Sequence, residues 1–101
     1  MTPEIAARLE NLRIQYTLTG TGFALFTRGT AAVFARLSSD GAISLGSTGM
    51  MTDNGLAYLL WRGEEAMLAA HGGSEMPATL EQAAEIQRFS ADLKTALGLS
   101  E

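Results

Sequence analysis

The sequence predicts an α+β fold: an N-terminal helix, a five- to six-stranded antiparallel meander sheet, and a long C-terminal helix packed on one sheet face. Three observations carry this reading. A helical period of apolar residues occurs at the two ends of the chain, near residues 3–11 and 79–97. Between them the apolar residues alternate or fall in short continuous runs. Gly-containing turns punctuate those runs at short intervals, which favours hairpins.

Thr2-Pro3-Glu4 is a helix start. Thr2 can cap, Pro3 suits the first helical position, and Glu4 favours the positive helix end. Ile5, Leu9 and Leu12 then make one apolar stripe, so helix is expected over about 3–11. From Leu12 the period becomes two: Leu12, Ile14, Tyr16 and Leu18 alternate with polar residues, as a strand with one wet face does. After the Gly20-Thr21-Gly22 turn come two apolar runs, 23–27 and 31–37, joined through Arg28-Gly29. Asp40-Gly41 is a tight-turn signal, and Ala42 to Leu45 is a short strand. Gly46 to Gly55 (GSTGMMTDNG) reads as the main irregular segment. Residues 56–61 and 65–70 form a second apolar pair around Arg62-Gly63, and 71–77 reads as a loop. Thr79-Leu80-Glu81-Gln82 fits a capping box that opens a helix running to Leu97 and closed by Gly98. Ile86, Phe89, Leu93, Ala96 and Leu97 share one side of that helix.

The two apolar pairs resemble each other: Gly22-Phe23-Ala24, Arg28-Gly29 and 32–35 align with Gly55-Leu56-Ala57, Arg62-Gly63 and 66–69 after one insertion. Two look-alike hairpins do not make a solenoid, which needs three or more repeats.

Composition narrows the class further. A chain of 101 residues fits a single domain, 1–101. The residues AVILMFWYC make up 47%, and DEKR only 18% against a typical ~25%. Net charge is −4 and the seven cations are scattered, so no basic stripe suits nucleic acid or an anionic membrane surface. There is no cysteine, which removes disulfides and thiolate metal sites. No ~18-residue apolar stretch suggests a membrane-spanning helix, and the N-terminus lacks signal-peptide character; a cytoplasmic location is the default expectation. The Ala-rich, Arg-over-Lys composition suits a bacterial-type protein.

The chemical constellations are sparse. His71 is the only histidine, so there is no His pair for a metal, and no G-x-S-x-G elbow accompanies it. Gly46-Ser47-Thr48-Gly49 lacks the lysine of a phosphate loop. Asp40, Asp53, Glu64 and Glu65 sit near turns without a calcium-loop pattern. The expectation is no catalytic residues, no cofactor and no metal.

The middle strands, however, are apolar on both faces. Phe23 and Leu25 point one way and Phe26 the other; Tyr58 and Leu60 point one way, Leu59 and Trp61 the other. Either the sheet curls over its own core or its second face meets another chain. The leading expectation is a non-enzymatic homodimeric protein-interaction or accessory module, adaptor- or chaperone-like, using Trp61, Tyr58, Leu59 and Met67. Met50 and Met51 suit either adaptable rim contacts or a plug at the core end. The alternative is a small-ligand-binding domain whose apolar pocket, between sheet and C-terminal helix, is lined by Phe26, Phe34, Tyr58 and Phe89.

The element order resembles that of frataxin-like domains, but the first helix carries only Glu4 and Glu10 rather than an acidic ridge for iron. It loosely resembles small bacterial secretion-chaperone-like domains, which place a helix in mid-sheet where this chain has GSTGMMTDNG. Both are likenesses of architecture, which does not by itself give function.

Overall fold

A computed structural model describes residues 3–20, 22–53, 55–70 and 72–99. Thr2, Thr21, Asn54 and His71 lie outside the described residues, so the helix cap at Thr2 and the readings of His71 are not addressed by it. The chain runs α1 (Pro3–Asn11), β1 (Gln15–Leu18), β2 (Phe23–Arg28), β3 (Ala31–Leu37), β4 (Ile43–Leu45), β5 (Gly49–Thr52), β6 (Gly55–Arg62), β7 (Glu65–Ala69), β8 (Glu75–Pro77) and α2 (Leu80–Leu97). The α+β class and both helices agree with the sequence reading. The strand count does not: among the described residues eight strands form where five or six were expected.

All pairings are antiparallel, in the order β1-β2-β3-β5-β6-β7-β8, with β4 also paired to β3. β4 and β5 lie on the same edge of β3. β4 pairs with its C-terminal half and β5 with its N-terminal half. Ala35 faces Leu45 and Ala32 faces Gly49, so two residues of β3 oppose three of the other strand. That is a β-bulge of one extra residue at 46–48, and β4–β5 is one strand bent across it. The Gly46 N–H still donates to the Phe34 carbonyl at 2.8 Å, and the Met51 N–H to the Thr30 carbonyl at 2.7 Å. Half of the segment expected to be irregular is therefore strand, Gly49–Thr52 and Gly55. Gly46 lies in the bulge, Gly49 opens β5 and Gly55 opens β6 after the turn. β8, inside the expected 71–77 loop, is a three-residue edge strand ending in Pro77, which cannot donate a ladder hydrogen bond.

The two similar hairpins share turn chemistry as well as sequence. Arg28 pairs with Ala31, and Arg62 with Glu65, so each loop has two residues. The first is a glycine with φ of 62° (Gly29) or 65° (Gly63), and the second has no positive φ. This is the type II′ pattern, whose twist matches that of paired strands.

Both helices lie on one face of the sheet. α2 opens with the full capping box, in which the Gln82 N–H donates to Thr79 Oγ1 at 3.0 Å and the Thr79 N–H donates to Gln82 Oε1 at 2.9 Å. Such a cap contributes about 1 kcal/mol. The helix buries Ala83, Ile86, Phe89, Leu93, Ala96 and Leu97. It lands on a platform of small and branched residues: Ala24, Ala31, Val33 and Ala35, with Phe26 between them. Burying Phe89 and Leu93 fully stabilises the docking by about 1.5–3 kcal/mol each. α1 adds Leu9 to the same core, and the Arg8 guanidinium donates to the Ala96 carbonyl at 3.4 Å. A smaller cluster, Ala57, Leu68 and Ile86 with Met50 and Leu59 packed on it, continues under the first half of α2. Arg28 ties the layers together. Its guanidinium contacts Asp92 at 2.8 Å and the Leu12 carbonyl at 3.3 Å, and lies 5.7 Å over the Phe89 ring.

Gly49 is the tightest point of the sheet. A methyl group there would collide with the Ala57 carbonyl oxygen and come within 2.8 Å of the Tyr58 Cα, both backbone atoms that cannot swing aside. Gly49→Ala is expected to destabilise by at least about 1–3 kcal/mol. For a domain of this size that lowers the thermal midpoint by about 4–8 °C per kcal/mol, which calorimetry reads directly. An unchanged midpoint would contradict this close approach of β5 and β6.

Candidate interaction face

Cross-strand register assigns every strand residue to a face. The helix-covered face carries Ala24, Phe26, Ala31, Val33, Ala35, Met50, Ala57, Leu59, Trp61, Ala66 and Leu68. The opposite face carries Phe23, Leu25, Ala32, Phe34, Met51, Leu56, Tyr58, Leu60, Met67 and Ala69. No described helix lies over that second face. It is a nearly unbroken apolar surface across β2 to β7. Phe23 is 43% exposed, Phe34 40% and Met51 38%, with Leu25, Tyr58, Leu60 and Met67 half-buried among them. Ala32 is fully buried on the same face, in the shadow of larger neighbours.

The face has a polar rim. The Arg36 guanidinium lies 5.8 Å over the Phe23 ring, opposite it on the next strand. At the β6–β8 side, Arg62 reaches across β7 to Glu75 in a two-pronged contact: Nε to Oε1 at 3.0 Å and Nη2 to Oε2 at 2.6 Å. Glu65, opposite Arg62, completes that corner.

The residues chosen from sequence divide between the faces. Tyr58, Met67 and Met51 lie on the open face. Leu59 and Met50 turn inward, onto the core cluster beneath α2. Trp61 shares the helix side with Leu59 yet is 46% exposed, at the tip of the β6–β7 hairpin. The six therefore do not make one patch, because adjacent residues of a strand must point to opposite sides. The missed members, Phe23, Leu25, Phe34, Leu56 and Leu60, carried a signal in the Phe23/Leu25 and Tyr58/Leu60 spacing of two. What the sequence lacked was which parity α2 would cover.

The expected pocket is likewise corrected. Phe26 and Phe89 are fully buried and fill the space between sheet and α2, while Phe34 and Tyr58 stand on the far side. The four line no common cavity. A cavity of about 500 Å³ exists elsewhere, on the flank of α1. Among the described residues no group of three or more His, Asp or Glu is placed to hold a metal ion, and no helix is long and apolar enough to cross a membrane. The mid-sheet helix of the chaperone-like pattern is replaced here by the β4–β5 bulge. Comparison of the chain with protein-family models, with curated proteins and with solved structures gives no match.

The Arg62 hydrogen bonds hold the Glu75 carboxyl below its ordinary value, and Glu75 in turn raises Arg62. A carboxyl lowered in the folded state stabilises it above the unfolded-state pKa, and that contribution is lost as pH falls through the folded value. The pair is solvent-exposed, so the effect is small and screened by salt. Wild type is expected to melt slightly above Glu75→Gln at about pH 7, with the gap closing by about pH 3. A gap that persists in acid would assign the difference to some contact other than this ion pair.

Proposed function

We propose that this chain is a non-enzymatic, cytoplasmic protein-interaction module that associates with a second copy of itself through the open face of its sheet. The observation that supports this is the apolar surface of Phe23, Leu25, Phe34, Met51, Tyr58, Leu60 and Met67, which neither helix of the described residues covers. Contiguous apolar surface with a polar rim is the usual mark of an association site. Its largest groups, Phe23, Phe34 and Tyr58, are flat anchors of the kind that dominate binding energy.

The charges on the rim suit a second copy. β3 and β6 run parallel on either side of β5, so Arg36 near the end of β3 and Glu65 at the start of β7 lie at the same end of the sheet. Arg36 leans toward β2, over Phe23, and Glu65 lies the other side of centre. A two-fold axis along β5 sets face against face, laying β3 of one copy over β6 of the other, so that Arg36, leaning outward over Phe23, approaches the partner's β6–β7 corner, where Glu65 stands opposite Arg62. Two sheets packed in this way bury their facing side chains as a sandwich does.

Sedimentation equilibrium at about 100 μM, a concentration that populates even a dimer of micromolar affinity, is expected to give twice the chain mass. Phe34→Glu, which puts a charge at the centre of the face, is expected to sediment as a folded monomer. A wild-type monomer at that concentration would overturn the proposal, as would a Phe34→Glu variant that stays dimeric.

A further inference from the structure

The cavity beside α1 is independent of the open face and lies on the opposite side of the sheet. Its walls are Ile5 of α1, Tyr16 and Leu18 of β1, Leu37 of β3 and Ile43 of β4, and its floor is Ala24. Its origin can be traced in the fold. α1 has nine residues and is about 14 Å long, too short to cover this flank. Ala24 and Ala35 are the smallest side chains in the row Leu18–Ala24–Ala35–Leu45, and nothing larger rises from the floor to fill the space. Leu18 is consequently 65% exposed although it points to the helix side, and Tyr16 rests its ring 6.0 Å from Phe26 with its outer half uncovered.

The chemistry of the lining is distinctive. At about 500 Å³ the cavity is in the ~300–1,000 Å³ range of small-molecule sites. Its walls are mainly aliphatic, and two hydroxyl side chains, Tyr16 and Ser38, accompany them. Among the described residues no ionisable acid or base other than the Tyr16 phenol lines it. A charged ligand would lose its hydration with no opposite charge to replace it, whereas a neutral molecule loses little. A hydroxyl or carbonyl on such a molecule has Tyr16 and Ser38 as partners.

We infer that this cavity is a binding site for a small neutral amphiphile, with an apolar body against Ile5, Leu37 and Ile43 and one uncharged hydrogen-bonding group toward Tyr16 or Ser38. The site owes nothing to the partner surface, and its occupancy does not depend on whether the chain dimerises.

Amide NMR of the full chain titrated separately with 1-octanol and octanoate tests it. Octanol is expected to shift Ala24, Leu37 and Ile43 saturably, and octanoate to bind at least about tenfold more weakly. Leu18→Glu sits at an exposed position and leaves the fold intact; it is expected to weaken octanol at least about tenfold. Ile43→Trp, which fills the cavity, is expected to abolish the shifts. Absence of saturable shifts with octanol, shifts confined to the open face around Phe34, or equal binding of octanoate would each overturn the inference. Octanol affinity unchanged in both variants would overturn it as well.

Discussion

A β-strand sends successive side chains to opposite faces, and among the described residues helices cover only one of them. Every other feature follows from that constraint. α2 needs a flat, small-residue platform, and the inward parity of β2 and β3 provides it with Ala24, Ala31 and Ala35 around Phe26 and Val33. The outward parity of the same strands is Phe23, Leu25 and Phe34, an apolar surface that the described helices leave open. Most antiparallel sheets with one covered face carry polar residues on the other. Here the polar residues are pushed to the rim, as Arg36, Glu65 and the Arg62–Glu75 pair.

The bulge between β4 and β5 governs how wide that face becomes. Without the extra residue at 46–48, Met50 and Met51 would exchange sides, since a slip of one reverses every side chain beyond it. With it, Met50 packs inward beside Ala57 and Leu59, and Met51 joins Leu56 outside. Gly49 lets β5 close against β6 at the point of tightest approach. The first and second hairpins are thus joined into one continuous sheet, and the apolar outward residues of each merge into a single surface.

Much of this was legible in the sequence. The capping box at Thr79 and Gln82, the stripe of α2, the Pro3 start of α1 and the two Gly-led hairpins all depend on neighbours a few residues apart, and each formed where the residues said it would. The missed strands, β5 and β8, pair with strands close by in the chain, Thr52 facing Gly55 and Glu75 facing Ala69, and it is their shortness that hid them. GMMT and EMP have no strand period long enough to read, and they become strands because β6 and β7 offer them edges. The apolar surplus on both faces was also readable, but not its allotment. Choosing Phe26 and Phe89 as pocket walls failed for the same reason: sequence reveals that aromatic residues are abundant, and only packing reveals which of them the helix meets.

We propose that the outward parity of β2 to β7 is covered in solution by a second copy. Hydroxyl-radical footprinting over a dilution series tests it residue by residue. Oxidation of Phe34, Met51 and Tyr58 should fall as the protein is concentrated, while Trp61 and Met76, exposed on the helix side, keep a constant rate. Oxidation of Phe34 and Met51 that is independent of concentration, or protection that falls on Trp61 instead, would contradict it.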